Sequence, residues 1–241
     1  VTSCKGWHAL TQPSTNGGTP ASSGRTPAQG NRLDPWYDVY ADRAHNLRAS
    51  EIRALFSVVS RPEVVSLAGG MPNLKDLPLD KLAASAEKLI RNHGAQAMQY
   101  GSGQGWEVLR ERITEVMTYD GIVGADPDDV VVTTGSQQAL DLVTELFVNP
   151  GDVILAEAPS YVGALGVFRA RQADIVHVPM DEHGIIPEAL EETIRDVRSS
   201  GRTIKFIYII PNYHNPAGVT LSAERRPIIA EICLREHVLI V

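Results

Sequence analysis

"DVVVTTGSQQALDLVTELF" (Asp129–Phe147) and "DVILAEAPSYVGALGVFRARQ" (Asp152–Gln172) follow the same order. Each starts with an apolar run of strand length, breaks at small or turn-forming residues, and resumes with helical spacing. The pattern continues downstream. "ADIVHVPM" (Ala173–Met180) predicts a strand, "PEALEETIRDVRSSG" (Pro187–Gly201) a helix and "IKFIYIIP" (Ile204–Pro211) a strand. "SAERRPIIAEICLREH" (Ser222–His237) predicts a helix, and "VLIV" (Val238–Val241) a strand. Strands alternating with helices predict an α/β fold: a three-layer α-β-α sandwich around a mostly parallel sheet. The runs are rich in Val and Ile, as strands covered on both faces require. Ligands of such sheets sit beyond the carboxyl ends of the strands, so the residues just after each strand are the candidates for chemistry.

Upstream the texture differs. "PLDKLAASAEKLIRNHG" predicts a helix stopped by Gly94, and "GWEVLRERITEVMTYDG" a second stopped by Gly121. Ile52, Leu55, Phe56 and Val59 recur at helical spacing after Ser50, a suitable N-cap, and Pro62 closes that helix. "VVSLAGGMP" is a short extended piece ending in Gly69 and Gly70. Residues 11–31 are rich in Ser, Thr, Gly and Pro, which predicts a disordered tail. Three segments follow: a tail over 1–33, an arm with helices over 34–125, and a large ligand-binding domain over 126–241.

Composition narrows the function. The chain has 241 residues, 43% hydrophobic, with a formal charge of −7 and a pI near 5.5. Lys5, Arg25 and Arg32 precede Asp34 with no acid among them, so the remainder carries −7 − 3 = −10. No basic stripe suggests nucleic acid. The 2 cysteines, Cys4 and Cys233, form no metal-ligand spacing, so no metal is expected. No apolar run reaches the length of a membrane span, and no secretory pattern opens the sequence, so a cytoplasmic protein is expected.

Three strand ends carry candidate chemistry. In "TTGSQQAL" (Thr133–Leu140), a Gly turn leads small and polar residues into a helix, which points free N–H groups outward to bind phosphate. Ser136 adds a hydroxyl and Gln137 an amide; the plainer reading is that Ser136 caps the helix. The stretch is not GxGxxG and lacks the Walker lysine. In "AEAPSYVGA", Tyr161 offers a flat ring for stacking, or is an ordinary core or surface tyrosine. In "IYIIPNYHNPAGV" (Ile207–Val219), Asn215 offers a donor and an acceptor for a ring hydroxyl, or belongs to an Asx-type turn before Pro216. Together they describe a phosphate cradle, a stacking ring and a polar contact for a planar phosphorylated cofactor.

"VTTGSQQALDL", "LAEAPSYVGAL" and "IPNYHNPAGVTL" resemble the corresponding blocks of fold-type I pyridoxal-phosphate aminotransferases, in the 2-aminoadipate/kynurenine-type branch. "ASEIRALFSVVSRPEVVSLAGGMP" and "QYGSGQGWEVLR" are similar to the same branch, so the resemblance runs from about Asp34 to Val241. It implies pyridoxal 5'-phosphate as cofactor, with Ser136 and Gln137 at its phosphate, Tyr161 stacked on its ring and Asn215 at its phenolic oxygen. It places Tyr100 at the phosphate of the partner subunit's cofactor in a homodimer. It places Gly70 and Asn215 near the substrate carboxylate, and Ser50 and Arg53 on a helix closing over the substrate side chain. Arg53 is otherwise a solvated helix position. The implied reaction passes an amino group between an amino acid and a 2-oxo acid, with 2-oxoglutarate expected. A dicarboxylic substrate suits Arg53; an aromatic or kynurenine-like one is the alternative.

The family's cofactor-linked lysine, the acid at the pyridine nitrogen and the arginine gripping the substrate's α-carboxylate have no counterpart in this sequence. Its lysines are Lys5, Lys75, Lys81, Lys88 and Lys205; none follows Asn215, and Lys205 opens its strand at the end opposite the site. The expectation is the N-terminal portion of an aminotransferase, cut within an incomplete large domain and inactive by itself. The alternatives are a non-catalytic truncated product and an aminotransferase-like regulatory domain. The latter would be preceded by a winged-helix module, for which the segment before Asp34 is too short and too poor in apolar residues.

Overall fold

A computed structural model of the chain describes residues 39–45, 63–65, 74 and 76–241. The chain divides into two units, Val1–Tyr40 and Ala41–Val241. The expected helix after Ser50 and the Gly69–Gly70 stretch lie outside the described residues.

The second unit holds seven α-helices among the described residues: α1 (Asp42–His45), α2 (Leu79–Ala97), α3 (Glu107–Tyr119), α4 (Ser136–Phe147), α5 (Val162–Ala170), α6 (Pro187–Ser199) and α7 (Arg225–Arg235). Five strands, β1 (Val153–Ala158), β2 (Asp174–Asp181), β3 (Gly184–Ile185), β4 (Ile204–Tyr208) and β5 (Leu239–Ile240), form one sheet in the order β3-β2-β1-β4-β5. β1 pairs in parallel with both β2 and β4, and β4 with β5, as the alternating pattern predicts. The two-residue β3 runs antiparallel to β2 and makes the sheet mixed.

Alternation along β1 separates the two faces, because successive side chains point to opposite sides. Val153 and Leu155 join Leu190, Ile194 and Val197 of α6 and Ile229, Ile232 and Cys233 of α7 in one core. Ile154 and Ala156 join Leu140 of α4 and Ala164, Leu165, Val167 and Phe168 of α5 in the other. These are the expected three layers. In the second core, Phe168 meets Phe206 and Tyr208 edge to face, with centroids 5.5 and 5.6 Å apart. Each fully buried ring contributes roughly 1.5–3 kcal/mol. β2 departs from the expectation of full burial: only Val178 along it is buried, because its outer neighbour is just two residues long.

Two further expectations meet local departures. Val130–Thr134 is not a strand. It follows a short 3-10 turn, Pro127–Asp129, and the Val132 N–H bonds to Gln104 O at 2.7 Å instead of to a sheet neighbour. β1 already has strands on both sides, so this segment finds no partner there. Gly94 is a stop only in part. Regular helix breaks at His93 (φ −136°), just before it, and a short helical stretch resumes to Ala97, where Gly94 O accepts the Met98 N–H at 3.0 Å. Gly121 does close α3, one residue past its Asp120 cap, in the left-handed conformation (φ 79°) that glycine adopts without strain.

Candidate active site

The site is built beyond the carboxyl ends of β1 and β4, at the N-terminus of α4. Gly135, with φ 92°, is the N-cap of α4, and Ser136 is its first residue. Ser136 is therefore not the cap. No side chain caps Gly135, and the N–H groups of Ser136 and Gln137 have no acceptor among the described residues. Gln138 instead turns its side chain back. Its Oε1 accepts from Thr134 N at 2.6 Å and from Thr134 Oγ1 at 2.8 Å, which fixes the approach to the helix. The result is a pair of outward N–H groups at the positive end of a twelve-residue helix dipole.

Tyr161 is the N-cap of α5, just past the end of β1, and half-buried against the α4–α5 core. Its ring lies tightly over Gly163. A Cβ on Gly163 would come within 2.4 Å of Tyr161 Cζ, so only glycine permits this placement. Gln137 Nε2 donates to Gly163 O at 3.1 Å. The structure thus brings Gln137 and Tyr161 together, through a glycine that the sequence alone did not single out.

Asn215 follows β4 on a loop closed by its own backbone. His214 N donates to Val219 O (2.8 Å), Gly218 N to His214 O (2.6 Å), and Leu221 N to Pro211 O (2.9 Å). Arg226 of α7 holds the loop's base through Leu221 O (3.1 Å) and Asn212 Oδ1 (2.6 Å). The two asparagines of this loop therefore differ. Asn212 is tied to the scaffold, whereas Asn215 is exposed and its amide makes no hydrogen bond among the described residues. The Ala158–Pro159 and Asn215–Pro216 peptides are both cis.

Beneath this loop sits a polar pair that the sequence reading missed. Glu157 of β1 and His214 are both buried, 1% and 2% exposed. Glu157 Oε2 accepts from Ile210 N at 2.8 Å and lies 3.1 Å from His214 Nε2. The approach of Nε2 is close but misaligned, so that nitrogen is left without a hydrogen bond. Burial pushes the Glu157 carboxyl up to about 7 and holds the His214 ring below its ordinary value. The same burial, with Tyr161 and Glu157 nearby, raises Tyr208. The sequence signal was available: Glu157 is the one acid in the run "VILAEA".

The remaining candidates are placed differently. Tyr100, between α2 and α3, is fully exposed. Ser50, Arg53 and Gly70 lie outside the described residues. Lys205 stands near the start of β4, where its Nζ lies 3.3 Å from Asp152 Oδ2, at the end of the sheet away from Tyr161 and Asn215.

The chemistry of this donor set fits pyridoxal phosphate: free N–H groups for a phosphate, a ring seated beside them and an unengaged amide. An α/β sheet carrying these groups at its carboxyl edge has the arrangement of a domain that holds a phosphorylated ligand beyond its strand ends. The chain belongs to the aminotransferase class I and II family, whose model matches residues 62–241. It is 37% identical over 202 residues to aromatic-amino-acid aminotransferase 1 of Thermococcus litoralis, covering 84% of this chain and 48% of that protein. It is 37% identical over 193 residues to the 2-aminoadipate transaminase of Thermus thermophilus, covering 79% and 46%. Among solved structures, kynurenine aminotransferase of Pyrococcus horikoshii, in complex with PMP and with kynurenine as substrate, matches at 34% identity. Its TM-score is 0.80, over 86% of this chain and 51% of that one. The chain spans about half the length of the curated relatives it matches.

Proposed function

We propose that these residues form the cofactor-holding part of a pyridoxal-phosphate-dependent aminotransferase that moves an amino group between an amino acid and a 2-oxo acid. The observation that carries this reading is the open N-terminus of α4 beside the Tyr161 ring, joined through Gly163. In this reading the N–H groups of Ser136 and Gln137, with the Ser136 hydroxyl, hold the phosphate. Tyr161 lies on one face of the pyridine ring, and Asn215 hydrogen-bonds its phenolic oxygen. Pyridoxal phosphate, when bound, supplies the electron sink that loosens the bonds at the amino acid's α-carbon. The protein's share is to fix the ring's orientation and exclude water around it.

The finer assignments rest on the family resemblance. Tyr100, exposed between two helices, is available to reach the cofactor phosphate of a partner subunit in a homodimer. Gly70 and Asn215 line the α-carboxylate of the substrate, Ser50 and Arg53 its side chain, and 2-oxoglutarate is the acceptor. The relatives named above act on aromatic, 2-aminoadipate and kynurenine substrates, and a guanidinium at position 53 suits the distal carboxylate of a dicarboxylic one. The acidic balance suits a cytoplasmic enzyme.

The chain itself carries no lysine in the family's nucleophile position, so binding is the property to test. Ser136→Ala and Asn215→Ala should each weaken pyridoxal phosphate binding to the 241-residue chain, followed by fluorescence quenching, by roughly three- to tenfold. Borohydride reduction should label no single lysine stoichiometrically. One fully labelled lysine together with measurable transamination would overturn this assignment of roles.

A further inference from the structure

Asn215 has no side-chain anchor of its own, yet a contact to a ring oxygen requires its amide to be held still. The residue before it is the most constrained of the loop. His214 is bonded through its backbone N–H to Val219 O and through its carbonyl to Gly218 N, and its Nδ1 accepts the Ala217 N–H at 3.2 Å. With Nδ1 as acceptor, the neutral ring carries its proton on Nε2, and Nε2 faces Glu157 Oε2 at 3.1 Å. The same carboxylate oxygen holds Ile210 N, at the start of the loop. One buried oxygen on β1 therefore addresses both the entry of the loop and the residue next to Asn215.

We propose that Glu157, acting through His214, is a positioning residue for Asn215: its carboxylate sets the orientation of the imidazole and, with it, the amide that faces the cofactor. Glu157 touches neither substrate nor cofactor in this account. The inference rests on the reading of Asn215 as a cofactor contact given above. A carboxylate is suited to the task because the oxygen that accepts the Ile210 N–H also sets a negative charge against the Nε2 edge of His214, whereas an amide keeps the acceptor without the charge.

Glu157→Gln separates the two duties. Its amide oxygen can still accept from Ile210 N, so the tie between β1 and the loop survives, but the negative charge facing His214 Nε2 is lost. The experiment uses the 241-residue chain and pyridoxal phosphate at pH 8, in a double-mutant cycle with Asn215→Ala. Glu157→Gln is expected to lower affinity about fivefold when Asn215 is present and by less than about twofold in the Asn215→Ala background. Nitrogen-15 spectra of the His214 ring should shift in Glu157→Gln without any ligand. As a second variant, His214→Gln keeps an N–H within reach of Glu157 and should retain affinity better than His214→Leu.

An equal loss in both backgrounds overturns the proposal, since Glu157 would then act on the fold and not through Asn215. Unchanged His214 ring signals in Glu157→Gln overturn it as well. A parent chain that fails to bind, or Asn215→Ala with unchanged affinity, removes the cofactor contact and this proposal with it. That outcome is distinguishable because the ring signals can still respond to Glu157.

Discussion

β1 and α2 show how differently two stretches of this chain are supported. Of the six residues of β1, the first five are buried; of the nineteen in α2, none is. β1 is enclosed by β2 and β4 at its edges and by helix pairs on its faces, all drawn from residues 136–241. The apolar residues of α2 have no such cover among the described residues: Leu82 is 56% exposed and Ile90 52%. What supports α2 locally is weaker, such as the exposed Glu87–Arg91 pair one turn apart. The site divides along the same line. Ser136, Gln137, Tyr161 and Asn215 stand on the edge of a packed sheet, whereas Tyr100 follows α2 and has no packing to hold it among the described residues.

The largest effect should come from attacking that difference directly. Phe206→Ala removes a wholly buried ring that meets Phe168 edge to face, and should cost about 3–5 kcal/mol in urea unfolding followed by circular dichroism. Leu82→Ala on α2 should cost about 0.5 kcal/mol or less. Similar losses at both positions would break the comparison, because the apolar face of α2 would then be covered in solution.

A second test concerns pH. The carboxyl of Glu157 is pushed up to about 7 by burial, above the ordinary value of 4.5. A raised carboxyl favours the protonated fold. Its contribution is fully present below about pH 4.5 and is lost as pH rises through about 7. Glu157→Gln, neutral throughout, should therefore gain on the parent chain by about 3 kcal/mol between pH 4.5 and 8, read as the difference between two unfolding curves. Asp181 has the opposite sign. The Arg225 guanidinium holds its carboxyl down to about 2, so its contribution is present above about pH 4 and is lost as pH falls toward 2. A flat difference curve for Glu157→Gln would mean that the carboxyl is hydrated or otherwise compensated.

The layers of the fold were legible in the sequence because strand and helix periods alternate cleanly from Val153 onward. Val130–Thr134 misled for a physical reason: β-propensity identifies a segment that can pair, while the neighbours decide whether it does. Gly94 marked the place where regular helix breaks, at His93, but a glycine inside a helix costs only about 1 kcal/mol, so helix could resume to Ala97. At the candidate site, the places of Ser136, Gln137 and Tyr161 at two helix starts were legible from the turn residues before them. The part played by Gly163 was not, since its importance lies in the ring that covers it. The Glu157–His214 pair joins residues 57 positions apart and was visible only as one acid in an apolar strand.

Gly163→Ala is the next smaller test. The new methyl would force the Tyr161 ring off its seat, and stacking of such a ring is worth about 0.5–1.5 kcal/mol. Pyridoxal phosphate affinity of the chain should fall about three- to tenfold while urea stability changes less than for Phe206→Ala. Unchanged affinity would separate the Tyr161 ring from the ligand.

The smallest effect is expected where α4 and α5 are joined at their surface. Arg171, just after α5, donates to both carboxylate oxygens of Asp141 at 3.1 Å and to Glu145 at 3.0 Å, both on α4. Two-point contact gives this pair good geometry, but the Arg171 side chain is 30% exposed and Asp141 47%, so water and salt screen it. Asp141→Asn leaves one acceptor oxygen and the Glu145 contact, and should cost about 0.2–1 kcal/mol, diminishing in 0.5 M salt. Pyridoxal phosphate affinity should not move, because the apolar residues between these helices and β1 already fix the α4 N-terminus relative to Tyr161. A marked loss of affinity in Asp141→Asn at low salt would show that this ion pair, and not the buried core, sets the spacing of the two helix ends.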